Sequence, residues 1–516
     1  MDGTRRVNYR LEIRGDECMA RQQWSSRSTF IMAAIGSAVG LGNAWRFPGI
    51  AYANGGGAFL IPYFVALLTA GIPLLALELS IGKKYQSGAP SAFAKMNKKF
   101  EWIGWWGVGT AFCICAYYSV VVAWVIEYVA LSFKSPWIEK GAADIFTGDV
   151  LQVSSGMFDF GGFSPVVFLA LIFAWVCIWY CIRHGVTSVG KVVKYTVILP
   201  VILLVFLIIR AMTLPGAFDG LSYYLVPDWS ALLDINVWAA AYGQIFFSLS
   251  ILFSIMVAYG SYLNKEAEVT KDAMIIGFAD AGISFLSGIA AFGTLGYLSA
   301  VSGTPISQMK HTGIMLAFVT YPEALAQMPG GRLVVILFSL VFFIMLFTLA
   351  IDSAFSIVEA IITAVVDKFG WNKSKTTLWV CVIGFASSLI FATRAGLYWL
   401  DVVDHFVNDF NLIAIGFVEC LALGWVFGAD NIRDYLNSNT DFKYGKWWSA
   451  CIKYLCPVIF LFISVTYLIT NLTTPYDGYP VSNLIAGGWG IVLLTVIFGI
   501  GISLVKGKNE DKATVS

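Results

Sequence analysis

The stretch 34-AIGSAVGLGNAWRFP-48 decides how the rest of the chain is read. It lies inside a long apolar run, yet it holds Gly36, Ser37, Gly40 and Gly42, an asparagine at 43 and an arginine at 46. A membrane-crossing helix broken at its middle leaves N–H and C=O groups bare in hydrocarbon, each at a cost of several kcal/mol. Such a break persists where an ion or a polar ligand satisfies those groups. Carbonyls from a glycine-rich turn suit a hard cation such as Na⁺, and N–H groups at the start of a half-helix suit a carboxylate. Asn43 adds a neutral side-chain oxygen.

Composition agrees with a membrane setting. Of 516 residues, 58% are hydrophobic and only 13% are charged, and the mean hydropathy is +0.75. A soluble chain of this length could not hide that much apolar surface, so the class is an all-α polytopic membrane protein. The apolar runs do not alternate with polar residues, which argues against a β-barrel. Twelve spans are expected, at about 28–52, 58–83, 102–133, 165–183, 190–212, 236–262, 272–300, 331–366, 376–393, 397–427, 448–471 and 483–505.

With the N-terminus placed inside, 25 of the 33 Lys and Arg fall in cytosolic segments. Six fall outside: Lys134, Lys140, Arg210, Lys310, Arg332 and Arg394. The bias predicts cytosolic termini. Residues 1–27 then form a basic cytosolic arm without the short apolar core of a cleaved signal. Residues 28–505 form the membrane domain and 506–516 a cytosolic tail. The net charge of +1 argues against a nucleic-acid surface. Of nine cysteines, Cys18 is in the arm and the rest fall in spans, so no exterior disulfide is expected. There is no CxxC, and three histidines do not make a zinc centre. Two exterior loops are long, 134–164 and 301–330. The second, with 309-MKHTGIMLAFVTYPEALAQMPGG-331, has a helical apolar period and is expected to fold as a lid.

A second span is interrupted too. In 241-AYGQIFFSLSILFSIMVAYGSY-262, Gln244, Ser248, Ser250 and Ser254 break the apolar run. The interrupted spans are the first and sixth of twelve. They match in position if the chain is a five-plus-five inverted repeat with two further spans. Broken helices meeting at the midplane mark the binding site of such transporters. Small residues that merely allow close helix packing are the alternative, and paired interruptions in corresponding spans weigh against it.

GSAVGLGNAWRFP, followed by 54-NGGGAFLIPY-63, resembles the first-span signature of the neurotransmitter:sodium symporter family, and the likeness runs from Arg21 to about Leu504. It is nearest to the bacterial amino-acid transporters of that family. The resemblance implies two sodium sites. The first takes the Ala38 carbonyl, Asn43, Ser248 and Asp280, completed by a substrate carboxylate. The second takes the carbonyls of Gly36, Val39 and Leu349, with Asp352 and Ser353 from 348-TLAIDSAFS-356. An aspartate at the membrane centre is costly and calls for a cation.

The resemblance also implies a substrate site built from Ser37, Ala38, Gly40, Gly42, Ile114, Tyr118, Phe247, Ser248, Ser250, Phe253, Ser353 and Ile357. Tyr118 would donate to the substrate carboxylate. Amine transporters of the family carry an aspartate where this chain has Gly40, so a substrate with its own carboxylate is expected. Arg46 and Asp404 (in 400-LDVVDHF-406) would close the exterior side, with Gln244 beside them and Phe247 as an aromatic lid. Arg21 and Asp367 would close the cytosolic side, with Trp24, Ser261 and Tyr262. An arginine suits a bidentate latch, and the weakness of surface ion pairs, about 0–1 kcal/mol, suits a gate that opens every cycle.

The chain departs from the family pattern at three positions. Asp280, in 277-GFADAGIS-284, stands where asparagine is usual. Chloride-binding members use positions matching Tyr63, Gln244, Ser248 and Ser284. Ser284 is the chloride-type residue, but Asp280 puts a carboxylate on the same helical face. The expectation is that Asp280 supplies the negative charge and chloride is not required. Leu252 and Ser254 stand where small residues or glycine are usual, and are expected to narrow the pocket toward small or medium neutral amino acids.

The expected function is a sodium-coupled symporter of neutral amino acids working by alternating access. Its partners would be the amino-acid substrate and the bilayer, with no nucleic acid and no obligate protein partner. The missing exterior disulfide points to a prokaryotic inner membrane. A non-transporting sensor of the same fold is the alternative, which the short tail and paired gates disfavour. No metal cluster, nucleophile–base pair or phosphate loop supports an enzyme.

Overall fold

The computed structural model describes residues 21–308, 313–438 and 440–508. The arm up to residue 20 with Cys18, Lys310 and His311 of the exterior loop, and the tail from 509 lie outside the described residues. Among the described residues the chain is helical throughout, with two isolated β-bridges, Gly56 to Pro227 and Phe163 to Thr393.

Ten helices among the described residues are long and apolar enough to cross a bilayer: Gly57–Tyr85, Lys98–Ser132, Pro165–Ile182, Val186–Met212, Val269–Ser302, Arg332–Phe369, Lys373–Ala392, Gly396–Asn437, Lys446–Gly478 and Val481–Leu504. They correspond to ten of the twelve expected spans. The two others are the first and sixth, and each is split into halves too short to cross alone. The first is Arg27–Ala38 followed by Gly42–Arg46 and Phe47–Ala53. The sixth is Ile235–Ser248 and Ile255–Gly260. Local chemistry starts both. Ser26 accepts the Thr29 amide at 3.1 Å, and Asp234 accepts the Asn236 amide at 2.9 Å, each satisfying an orphan donor of the first turn.

The expected boundaries hold to within a few residues, except that the tenth helix runs on to Asn437 rather than ending near 427 and the eleventh to Gly478 rather than near 471. A third long connection, 213–234, was not expected. It carries the short helix Ala217–Leu225, packed on the seventh span. The 301–330 loop is helical where described, at Leu316–Thr320 and Tyr321–Ala326.

Burial sorts the spans into an inner and an outer set. The most apolar window of the third span is 83% buried, against 22% for the fifth, eleventh and twelfth. The outer helices expose Ile202, Leu472 and Leu494, as lipid-facing surfaces do. The third span packs along the eighth, and the first span's opening half-helix lies against the fifth, seventh and eighth. The second span meets the closing half of the sixth backbone to backbone. A Cβ on Gly82 would strike the Val257 carbonyl, and one on Gly260 the Leu79 carbonyl. This is how small residues bring helices close in a membrane.

Candidate functional site

The first span breaks at Val39, whose backbone is extended (φ −80°, ψ 97°). Ending a helix there deprives its last carbonyls of intrahelical donors. Asn43 folds back so that its Oδ1 accepts the Gly40 amide at 2.8 Å. The sixth span unwinds over residues 249–254, where Ser250, Leu252 and Ser254 all have positive φ, at 54°, 75° and 71°. Non-glycine residues adopt that conformation only when the surroundings impose it. The two breaks touch: Ser250 Oγ donates to the Ser37 carbonyl at 2.9 Å, and Ser353 Oγ from the eighth span donates to the same carbonyl at 3.3 Å.

Between the breaks lies a small cavity. All twelve residues named for the substrate site line it, together with Leu41. They come from the first, third, sixth and eighth spans, so no segment of the chain holds the site alone. A Cβ on Gly40 would collide with Ser353 Oγ and come within 3.2 Å of Tyr118 Oη. A side chain at position 40 would therefore have to displace the Ser353 hydroxyl and crowd Tyr118. Leu252 and Ser254 do not line the cavity, which corrects the expectation that they narrow it. The Leu252 amide is turned to Glu78, and Ser254 Oγ donates to the Gly104 carbonyl of the third span at 3.2 Å.

The residues named for the first sodium site lie together and fully buried. Asp280 accepts from Asn43 Nδ2 at 2.7 Å and from Ser248 Oγ at 2.8 and 2.9 Å. Asn43 Nδ2 also donates to Ser284 Oγ at 2.8 Å. Of the residues named for chloride, Tyr63 Oη and Gln244 Oε1 are buried without a partner, while Gln244 Nε2 donates to the Gly42 carbonyl at 3.3 Å. At the second set, the Asp352 carboxylate presses on the first span: a Cβ on Gly36 would stand 2.8 Å from its Oδ2. Asp352 is 1% exposed, and its Oδ1 has no protein partner. An orphaned carboxylate oxygen beside a broken helix fits a monovalent cation held by oxygens.

The cavity is shut at both ends. At one end Phe247 stands between it and a wide, open vestibule. The Arg46 guanidinium lies 4.5 Å above the Phe247 ring and 3.5 Å from Asp404. Ile314 and Met315 of the 301–330 loop line the vestibule. Gln244 lines it too, and supports the break through Gly42 rather than joining the ion pair.

At the other end Arg21 Nη1 donates to both Asp367 oxygens, at 2.8 and 3.0 Å, and its Nη2 donates to Ser261 Oγ at 2.6 Å. Its guanidinium stacks over Tyr262, and Trp24 Nε1 donates to the Tyr259 carbonyl at 3.1 Å. Two residues that sequence reasoning missed extend this cluster. Tyr262 Oη donates to Glu359 at 2.7 Å, and Lys373 Nζ holds the same carboxylate at 2.6 Å. Glu359 lies in an apolar helix, and a lone acid in such a run was the available signal.

Broken helices around a sealed cavity define a helical membrane transporter. The chain belongs to the sodium:neurotransmitter symporter family, whose model matches residues 21–143 and 139–509. It is 40% identical over 492 residues to an uncharacterized sodium-dependent transporter of Methanocaldococcus jannaschii, covering 95% of this chain and 99% of that one. It is 33% identical over 521 residues to the sodium- and chloride-dependent taurine transporter of Rattus norvegicus, covering 92% of this chain and 83% of that one. It is 31% identical over 559 residues to the sodium- and chloride-dependent neutral and basic amino acid transporter B(0+) of Homo sapiens, covering 95% and 86%. The family is one of sodium-coupled transporters, not enzymes, and this chain is a multi-pass membrane protein within it.

Proposed function

We propose that this protein is a symporter that couples neutral amino-acid uptake to two sodium ions by alternating access. The observation that carries the reading is one cavity lined by thirteen residues of four spans, with an ion pair beyond each end. Charge bias places both termini in the cytosol, so Arg46 and Asp404 form the outer gate and Arg21 and Asp367 the inner one. A prokaryotic inner membrane is the proposed location.

Tyr118 Oη, which accepts the Leu41 amide at 3.4 Å, donates its proton to the substrate carboxylate, which completes the first sodium site beside Asn43, Ser248 and Asp280. That shared contact couples ion to substrate. Asp352, Ser353 and the carbonyls of Gly36, Val39 and Leu349 hold the second ion. Ile114, Phe253 and Ile357 bound the side-chain end of the cavity, which favours small or medium neutral side chains. Chloride is not required in this reading, because the Asp280 carboxylate already takes the Ser248 hydroxyl, one of the donors an anion would use, and brings its own negative charge. A chloride about 4 Å from that carboxylate would be repelled by roughly 4 kcal/mol at an effective dielectric of 20.

The test is gradient-driven uptake in proteoliposomes, with substrates first sorted by thermal shift of the twenty amino acids and taurine in Na⁺. Uptake that needs a Na⁺ gradient supports the reading; binding without flux supports the sensor instead. Replacing chloride with gluconate leaves uptake unchanged, and Asp280→Asn makes it chloride-dependent. Collapse of wild-type uptake in gluconate sinks the chloride-free assignment.

A further inference from the structure

The connection 213–234 carries a helix with three different sides. Ala217, Gly220 and Tyr224 repeat at i, i+3 and i+7 and are buried against the seventh span. The approach is backbone to backbone: a Cβ on Gly220 would strike the Phe292 carbonyl, and one on Gly216 the Gly296 carbonyl. Phe218, Leu221 and Leu225 repeat at the same spacing along one flank and form an apolar edge, with Phe218 73% exposed. Asp219 and Ser222 lie on the other flank and line an open groove with Ser299 and Ser307. The turn that follows, Trp229–Leu233, exposes Trp229 and Leu233 between the exposed Asp228 and Asp234.

This segment is joined to both broken spans on the Arg46 side. A Cβ on Gly56 would strike the Tyr223 carbonyl, and Gly56 pairs with Pro227 in an isolated β-bridge. Tyr52, in the first span's last half-helix, meets the Tyr223 ring at 5.9 Å. Trp238 Nε1, in the opening half of the sixth span, donates to the Leu232 carbonyl at 3.0 Å. A force on 217–233 therefore reaches the two half-helices next to Arg46 and Phe247.

What covers the apolar edge follows from what adjoins it. The fifth span exposes Ile202, Phe206 and Ile209, one helical face at i, i+4 and i+7. That span ends at Met212 and the next helix starts at Ala217, so the lipid-facing surface continues into the segment. An exposed tryptophan flanked by aspartates suits the level where hydrocarbon meets headgroups. A helix with one apolar and one polar flank lies in that plane.

We propose that residues 217–233 are a membrane-surface anchor, seated in the leaflet on the Arg46 side, through which the bilayer biases opening of the vestibule. Phe218, Leu221, Leu225, Trp229 and Leu233 enter the leaflet, while Asp219 and Ser222 stay in water. A thicker bilayer carries the boundary outward, and with it the segment and the two half-helices, so the vestibule opens more.

The experiment places a spin label at Phe218→Cys, Leu233→Cys or Asp219→Cys, one at a time, in the full chain in phosphatidylcholine nanodiscs, read against the parent chain. At 218 and 233, relaxation by oxygen is expected to exceed relaxation by a water-soluble nickel chelate several-fold, and the order reverses at 219. Labels at 218 and 233 that respond chiefly to nickel put the edge in water and overturn the proposal. Labels shielded from both relaxants and broadened by one another put a second copy there, which also overturns it.

The bias is read from Ala240→Cys, a vestibule position, labelled with a charged thiol reagent in short-chain and in long-chain phosphatidylcholine. The rate is expected to be about threefold higher in the thicker bilayer, and Phe218→Ser/Leu233→Ser removes the difference. A rate independent of thickness, or a dependence that the double variant keeps, refutes the coupling. If the double variant does not reach the membrane, Leu233→Ser alone decides in the same way. Neither arm needs substrate or sodium, so the outcome stands apart from the symport reading.

Discussion

The two ends of the cavity are closed by different amounts of structure. The outer closure is one ion pair at 3.5 Å and one aromatic ring under a wide vestibule. The inner closure is a bidentate arginine, a serine, a stacked tyrosine, a tryptophan on a backbone carbonyl, and a second ion pair behind them. Both are shut, but the inner one contains several charge-assisted hydrogen bonds at 2.6–3.0 Å. Such bonds contribute about 1.5–3 kcal/mol each, whereas exposed pairs contribute about 0–1 kcal/mol. The cavity is therefore held more firmly at the Arg21 end than at the Arg46 end.

Four outcomes test that asymmetry, from the largest effect to the smallest. Arg21→Ala removes the inner bonds together and should lower the inner-closed population by roughly 10- to 100-fold. Labelling of a cysteine placed on the cytosolic path measures this, and unchanged labelling breaks the comparison. Lys373→Gln leaves the buried Glu359 carboxylate without its cation, and uptake should fall about tenfold. Adding Glu359→Gln should restore most of it. A double variant as poor as the single one would show that the pair does not act as a unit.

Arg46→Ala or Asp404→Asn should cost no more than about fivefold, seen as a raised KM with kcat nearly kept, since the outer pair is weak and part-exposed. A loss as deep as that of Arg21→Ala would make the two gates equal. The smallest effect is ionic. Raising external salt at fixed Na⁺ should loosen the outer pair slightly and move the inner network less, because the inner charges are also held by short hydrogen bonds that screening does not remove. Labelling from the two sides at two salt concentrations reads this directly.

Much of this was legible before any coordinates. The two spans that fail to run as single helices are the two whose small and polar residues broke the apolar pattern. Composition alone decides that reading, because hydrocarbon does not tolerate bare backbone. The twelve cavity residues were named from the resemblance and converge on one space. Less legible were contacts between segments far apart in the chain. Leu252 read as a pocket residue, but its positive φ turns its amide to Glu78, and a left-handed backbone is not written in the residue type. Ser254 faces Gly104 for the same reason. Glu359 and Lys373 were visible as charges in or beside apolar runs, yet nothing local paired them.

The sequence by itself determined that the chain lies in a membrane, that it crosses twelve times, and that the first and sixth crossings are interrupted. Those follow from the price of unpaired backbone and charge in lipid, which acts on each segment separately. Only the tertiary structure decided which polar groups share a site, and that Glu359 answers to Lys373 and Tyr262. Those depend on distances of a few ångströms between helices hundreds of residues apart, set by packing of the whole bundle.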